Sequence, residues 1–210
     1  RDTRYMTRFP YATLFRSRMV PGLAQGRFAF REGPMMASCD DVVITLDGVG
    51  GHGAMPHRAS DPIVAGAAIV SALQTIVSRN VDPQHTAIVT VGAFNAGHVN
   101  NVIPQTATLL LSVRALDAGV RDLLEQRIRA LVQGQAESFG VRSRIDYQRG
   151  YPVLVNEPAC TQLARDVACA LVGRDHVTPQ CQPFASSEDF AAMLEHRPGS
   201  YLLIGNGDGD

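Results

Sequence analysis

Hydrophobic and polar residues alternate in four stretches between residues 41 and 150, and each stretch predicts a half-buried strand. The first stretch runs from Asp41 to Asp47. The residues expected on the inner side of the four strands are Val42, Ile44 and Leu46, then Ala87, Val89, Val91 and Ala93, then Ala107, Leu109, Leu111 and Val113, and finally Val141, Ile145 and Tyr147.

Two segments between these strands have the 3.6-residue period of a helix. Asp61-Pro62 supplies a capping side chain and a first-turn proline for the first helix. Residues 80–83 are expected to end that helix. Asp117 can cap the second helix and Gly140 can end it. The predicted buried faces consist of Ile63, Ala67, Val70, Leu73 and Val77 in the first helix, and of Val120, Leu124, Ile128 and Leu131 in the second.

The resulting order over residues 41–150 is β-α-β-β-α-β, which predicts an α+β, ferredoxin-like domain with two helices on one face of an antiparallel sheet. After Gly150 the pattern predicts only two helices, at 157–172 and after Ser187, and one buried strand at 200–206. Together with a short upstream strand at 28–30, these elements are too few to close a core. We therefore expect this second part of the chain to be incomplete.

The first eighteen residues follow neither period. They are basic and rich in aromatic residues, and the part from Thr7 to Ser17, TRFPYATLFRS, resembles the translation of a sequencing adapter. We expect residues 1–18 to be a non-native leader that packs against nothing, although a native basic arm is the alternative.

Composition excludes several classes of partner. The chain has 210 residues, 45% of them hydrophobic, and a formal net charge of −1, which gives no general attraction to nucleic acid or to an anionic membrane. No apolar run is evident that would reach transmembrane length. The four cysteines form no CxxC pair, so we expect reduced thiols and a cytoplasmic protein.

Several motifs resemble one enzyme family. GPMMASCDDVVITLDGVGGHGAMPHRASDPI is followed by NNVIP, LLLSVRALD, SSEDFAAML and LIGNGDGD, in that order, over residues 33–210. This set is similar to the hippurate hydrolase branch of the dinuclear-metal aminoacylase and carboxypeptidase family. The resemblance implies a metal-dependent amidohydrolase, acting on N-acyl amino acids of the hippurate kind.

The resemblance also implies the domain organisation. Residues 41–150 would be a lid that forms the homodimer, inserted into a catalytic domain of which residues 19–40 and 151–210 are incomplete pieces. In this family the catalytic domain holds two divalent metal ions, such as Zn, Mn, Co or Ni. No cluster in this sequence has metal-ligand spacing, so we expect no metal site here, no bound ion, and no activity from this fragment alone.

His52 is the candidate catalytic residue. Glycines on both sides let the backbone approach a substrate closely, and an imidazole N–H can donate to developing negative charge. The resemblance implies that this histidine reaches across the dimer to the oxyanion. The alternative is a loop histidine that only binds backbone.

Asn101, Arg114 and Glu188 are the candidate substrate-binding residues. The resemblance implies that Asn101 and Arg114 hold the substrate, with the Arg114 guanidinium on its carboxylate, and that the segment of Glu188 borders the pocket. The structural alternatives are turn chemistry for Asn101, a solvated or ion-paired strand end for Arg114, and helix capping for Glu188 with Asp189.

Two other functions remain open at this stage. The domain at 41–150 could be a non-catalytic, ferredoxin-like dimerisation module, or it could sense amino acids. Catalytic motifs in the complete reading frame would exclude the first, and ligand binding by the isolated loops would favour the second.

Overall fold

The computed structural model describes residues 13–207 and shows a mixed α/β fold. The chain divides into a central unit, Ser38–Gly150, and a flanking unit made of the residues before and after it. The strands and helices in chain order are β1 (Leu14–Val20), β2 (Phe28–Ala29), β3 (Gly33–Met36), β4 (Asp40–Asp47), β5 (Gly51–His52), α1 (Pro62–Asn80), β6 (Ala87–Ala96), β7 (Val102–Ile103), β8 (Thr106–Ala115), α2 (Ala118–Ser138), β9 (Arg142–Arg149), β10 (Leu154–Asn156), α3 (Pro158–Val172), β11 (Val177–Thr178), α4 (Phe190–Leu194) and β12 (Gly199–Gly205).

The main sheet of the central unit has the order β6-β8-β4-β9, and all neighbouring strands are antiparallel. Ile44 of β4 lies opposite Leu109 and Ile145, so the three side chains share one face. Both helices cover that face, because the core contains the inner residues of α1 and α2 together with those of β4 and β8. Alternating side chains of the sheet face away from the helices.

The helix starts follow the local chemistry of the sequence. The Asp61 carboxylate accepts a hydrogen bond from the Ile63 amide at 2.8 Å, and Asp117 accepts one from Val120 at 2.9 Å. These contacts confirm both predicted caps. Each satisfies one backbone N–H that the first turn of a helix leaves without a partner.

The predicted buried face of α1 is wrong in part. Ile63 is 39% exposed and Ala67 is also exposed, whereas Leu73 is buried as predicted. The other fully buried apolar side chains of the helix in this core are those of Ala65, Ile69 and Ile76. The reason is that α1 is apolar on nearly all sides, so that periodicity alone does not choose a face. By length and composition α1 could also cross a membrane, contrary to the expectation from the sequence.

A buried carboxylate joins the two ends of the central unit. Asp40, at the start of β4, is fully buried and accepts hydrogen bonds from the Arg121 guanidinium of α2. It also accepts one from the Tyr147 hydroxyl at 3.1 Å and one from the Gly150 amide at 3.2 Å. Burial, and then the charge of Asp40, raise the pKa of Tyr147 above its usual value, so the phenol stays a donor.

The flanking unit is built on a sheet of order β1-β12-β2-β11 and a separate β3-β10 pair. Its core contains Tyr201 of β12 and Phe190 of α4, whose ring centroids lie 6.0 Å apart. The buried Asn156 amide donates to the Arg31 and Tyr201 carbonyls and accepts from the Tyr201 amide at 2.7 Å. One side chain thus joins three segments of this unit.

The expectation that residues 1–18 pack against nothing is wrong for 14–18. Leu14–Val20 forms β1, which pairs in parallel with β12 along its whole length. Backbone pairing needs no periodic hydrophobic face, and β1 indeed remains largely exposed, with Phe15 at 46%. Residues 1–12 lie outside the described residues, and the non-native origin of the leader stays a prediction.

We expect Asp40→Ala to lower the free energy of unfolding by roughly 3–5 kcal/mol, because it leaves the Arg121 charge buried without its partner. Chemical denaturation followed by circular dichroism measures this change. Asp41→Ala is the matched control, since Asp41 is the next residue on the same strand but is exposed. Equal stability of the two variants would contradict the role of the Asp40 contacts.

Candidate functional site

Two glycine-rich and polar loops of the central unit lie side by side. β5 pairs antiparallel with β7, with Gly51 opposite Ile103 and His52 opposite Val102. The Gly53 amide donates to the Asn101 carbonyl at 2.8 Å. A Cβ atom at Gly50 would lie only 3.0 Å from the Ile103 carbonyl oxygen. The glycines therefore permit a backbone approach that other residues would prevent.

His52 is exposed on this pair of strands, and its ring orientation is defined. Its Nδ1 accepts a hydrogen bond from the Ala54 amide at 3.1 Å. Because an amide N–H can only donate, Nδ1 must carry the lone pair, and the neutral ring then has its proton on Nε2. The backbone contact thus occupies one nitrogen and leaves Nε2–H as the remaining donor of an exposed side chain.

The structure brings Asn101 together with His52. The Asn101 carbonyl holds the residue that follows His52, and the Asn101 side chain is exposed at the same loop. The turn interpretation and the binding interpretation are therefore compatible, because the backbone of Asn101 supports the loop while its amide can still contact a ligand. A shallow groove of about 590 Å³ lies beside His52 between the two loops.

The structure does not bring Arg114 to the same place. Arg114 alternates with the buried residues Val113 and Ala115 of β8, so it belongs to the sheet face away from the helices. Gln105, which binds the Gly48 amide, directly precedes β8, whereas Arg114 lies near its other end. Nine residue steps along a strand span about 30 Å, which is beyond the combined reach of the two side chains.

Glu188 lies in the flanking unit, and its contacts are not those of a helix-capping residue. Its Oε2 accepts a 2.7 Å hydrogen bond from the Tyr201 hydroxyl, and its Oε1 lies 3.9 Å from Arg16 Nη2. Asp189, in the cap position of α4, makes no capping hydrogen bond and instead pairs with Arg16 at 3.1 Å. The interpretation of Glu188 and Asp189 as helix-capping residues is therefore wrong.

Tyr201 is the part of this arrangement that sequence analysis missed. Its ring is buried, and burial, followed by the hydrogen bond and charge of Glu188, raises the pKa of the phenol above its usual value. The available signal was a tyrosine inside an otherwise apolar strand, since a buried tyrosine hydroxyl normally has a partner. No periodicity or motif in the sequence indicated that Glu188, 13 residues earlier, is the partner of this hydroxyl.

The arrangement of the potential metal-ligating side chains bears on whether the described residues could hold a metal ion. Within residues 13–207 no group of three or more His, Cys, Asp or Glu side chains is arranged to hold a metal ion. The described residues therefore do not fit a metal centre, and their chemistry is that of hydrogen-bond donors, a guanidinium and a carboxylate.

Comparison with known proteins gives a family-level match. Residues 40–139 match the model of the peptidase dimerisation domain. The chain is 40% identical over 187 residues to the hippurate hydrolase of Campylobacter jejuni, covering 89% of this chain and 49% of that protein. It is also 40% identical over 190 residues to the N-acetyl-L-cysteine deacetylase of Bacillus subtilis, covering 90% and 45%.

Solved structures show the same fold. An aminohydrolase from methicillin-resistant Staphylococcus aureus aligns with a TM-score of 0.82 and 31% identity, over 91% of this chain and 49% of that one. The Bacillus subtilis YxeP protein, described as a dinuclear metal-binding peptidase of the M20 family, aligns with a TM-score of 0.76 and 26% identity, over 95% and 49%. The chain thus spans about half the length of the relatives that it matches.

Proposed function

Because the chain belongs to the M20 peptidase family, we propose that the complete protein is a metal-dependent amidohydrolase that cleaves the amide bond of N-acyl amino acids, with hippurate among its substrates. Its relatives include a hippurate hydrolase and an N-acetyl-L-cysteine deacetylase. The observation that carries the proposal is the backbone hydrogen bond to Nδ1 of the exposed His52, which leaves Nε2–H as a donor.

In this proposal His52 stabilises the oxyanion that forms when the amide carbonyl is attacked. A donor held in place before the reaction acts most strongly where charge develops. The Ala54 amide holds the imidazole by Nδ1, and the glycines around His52 allow a substrate to approach. Two divalent metal ions, Zn, Mn, Co or Ni, would act in the complete protein, with ligands other than the described residues.

Arg114 would bind the carboxylate of the substrate, and Asn101, which lies beside His52, would donate to the same substrate from the partner subunit. A guanidinium matches a carboxylate with two parallel hydrogen bonds, and an Asn amide can donate a further one. Glu188 would contact the substrate through Oε1, because Tyr201 already occupies Oε2. We thus propose a small N-acyl amino acid as the partner of the protein, and we propose neither nucleic acid nor a membrane as a partner.

The distance between His52 and Arg114 supports a site shared by two subunits. About 30 Å of strand separates Arg114 from Gln105, which lines the groove beside His52, so one small substrate cannot touch both Arg114 and His52 of one chain. A second copy can supply His52 to the site that contains Arg114 of the first. We therefore propose that the active protein is a homodimer, with His52 acting across the interface.

The central unit would be the ferredoxin-like lid and dimerisation domain, and its two sheet edges support this role. The β9 edge carries Arg142, Arg144, Asp146 and Arg149, whereas the β6 edge contains no charged residue. Charges on an edge strand oppose pairing with another chain, and an uncharged edge permits it. The neighbouring outer face of α1 is also uncharged up to Ser78, and its Val64 is exposed.

We also propose a cytoplasmic location. All four cysteines, Cys39, Cys160, Cys169 and Cys181, are free thiols, which suits a reducing compartment.

We expect Val64→Glu to convert the dimer of the complete protein into monomers. A two-fold interface would bring the two new carboxylates close together, and like charges at an interface cost several kcal/mol, or roughly a 100-fold weaker association or more. Sedimentation or light scattering measures the change. Ala130→Glu on the exposed side of α2 is the matched control. A dimer that survives both substitutions would contradict the α1 and β6 interface.

We expect His52→Ala to lower kcat by roughly 100-fold or more, because an oxyanion donor acts mainly in the transition state. Arg114→Ala should mostly raise KM, since the carboxylate that it binds is charged in the ground state as well. Steady-state kinetics on hippurate with the complete protein measures both effects. His85→Ala, at an exposed loop histidine, is the control. A His52→Ala enzyme with normal kcat would refute the catalytic role.

We expect mixed dimers of the His52→Ala and Arg114→Ala subunits to recover activity. If His52 acts across the interface, one of the two sites in the mixed dimer combines an intact Arg114 with an intact His52 from the other subunit. If both residues served one site from the same chain, each site would lack one of them and activity would stay low. The kcat/KM for hippurate after subunit exchange, with mixed dimers shown to form, distinguishes the two arrangements, because each single substitution lowers kcat/KM.

A further inference from the structure

The groove beside His52 has an apolar wall that none of the proposed roles uses. Val49, Val102, Ile103 and Pro104 line it together with glycine backbone. Val49 is 56% and Val102 is 50% exposed. The polar side chains along the groove are those of His52 and Gln105, and no charged side chain lines it.

Strand register places one of these valines directly beside the imidazole. Val102 of β7 is the residue opposite His52 of β5. Residues directly opposite each other in an antiparallel pair project from the same face, with Cβ atoms about 4.5–5.5 Å apart. The side chain of Val102 therefore lies next to the ring that carries the Nε2–H donor.

The covalent structure of the proposed substrate determines which of its groups lies beside Val102. In the proposed reaction His52 donates to the oxygen of the amide carbonyl, and the carbon of that carbonyl also bears the acyl substituent. A side chain adjacent to the His52 donor is thus within a few bond lengths of the acyl group. The carboxylate lies on the nitrogen side of the amide, and in the proposed dimer the Arg114 that binds it belongs to the other subunit.

We propose that this groove binds the acyl substituent and selects uncharged apolar acyl groups of aromatic size over small or charged ones. The proposal rests on the proposed amidohydrolase function. An apolar substituent covers the two exposed valines and gains free energy from the apolar area removed from water. A charged substituent would lose hydration and find no partner along a wall without charged side chains.

Glycine backbone forms part of the groove lining. Gly48, Gly50 and Gly51 contribute only backbone to the lining. A Cβ atom at Gly50 would lie 3.0 Å from the Ile103 carbonyl oxygen, so a larger residue there would shift the opposite loop slightly or fill the space. The groove volume of about 590 Å³ has room for an aromatic ring, and the two exposed valines supply apolar contact surface.

The test compares two substrates on the complete protein, hippurate and N-acetylglycine, which differ only in the acyl group. Val102→Thr keeps the shape of the side chain and replaces one methyl by a hydroxyl. We expect the ratio of kcat/KM for hippurate to that for N-acetylglycine to fall by roughly tenfold, the low end of the effect of one such group in an apolar pocket. Val49→Thr should lower it in the same direction.

Val99→Thr is the matched control, because Val99 is 59% exposed in the same turn but does not line the groove. An unchanged ratio in Val99→Thr, with a lower one in Val102→Thr, supports the proposal. If the wild-type enzyme hydrolyses both substrates and Val102→Thr leaves the ratio unchanged, the groove proposal is overturned while the amidohydrolase function stands. An equal loss on both substrates together with a weaker dimer identifies the groove as a subunit contact and also overturns it. Hydrolysis of neither substrate by the wild type overturns the proposed function and this proposal with it.

Discussion

The Asp40 carboxylate is the contact on which the architecture of the central unit depends. The chain enters this unit at Ser38 and leaves it at Gly150, and the two ends meet where the Gly150 amide donates to Asp40 and to the Cys39 carbonyl. Arg121 and Tyr147 satisfy the remaining acceptor positions of the carboxylate. A buried charge is stable only with such partners, so α2 and β9 are fixed relative to β4 by the same group.

This constraint makes the sheet a rigid support for the loops at its other end. β8 runs from the Arg121 side of the unit to the glycine loops, where Gln105 and Asn101 hold the backbone on either side of His52. A donor can stabilise developing charge only if it is held in place beforehand, and here the backbone does so by pairing rather than by burial. The proposed site therefore combines an exposed imidazole with a well-supported loop.

Local signals in the sequence predicted local structure well. Asp61 and Asp117 begin their helices as expected, because a cap depends only on residues within the next three positions. The face of α1 was not predictable in the same way, since a helix that is apolar on nearly all sides has no single periodic stripe. The choice between Ile63 and Ala65 is made by the sheet beneath it.

Contacts between distant residues were beyond sequence analysis for a different reason. The partners of Asp40 lie 81 and 107 positions away, and Tyr201 meets Glu188 only after β12 and α4 have packed. Neither contact produces a periodic pattern of residues in the sequence. The position of β1 was missed because backbone pairing along an edge requires no particular side chains. His52 and Asn101, by contrast, were candidates from the sequence, because glycines flank His52 and Asn101 lies in a turn, although the pairing of their two loops was not predicted.

The contrast between the two edges of the main sheet also bears on solubility. A monomer of this chain would present ten uncharged residues of β6 as a row of backbone donors and acceptors, which is a template for disordered self-association. The register shift between Val91 and Ala93 interrupts the regular ladder of β6 and twists the strand locally. That irregularity restricts which strands can add to the edge, and so it acts against aggregation during folding without adding a charge to this surface.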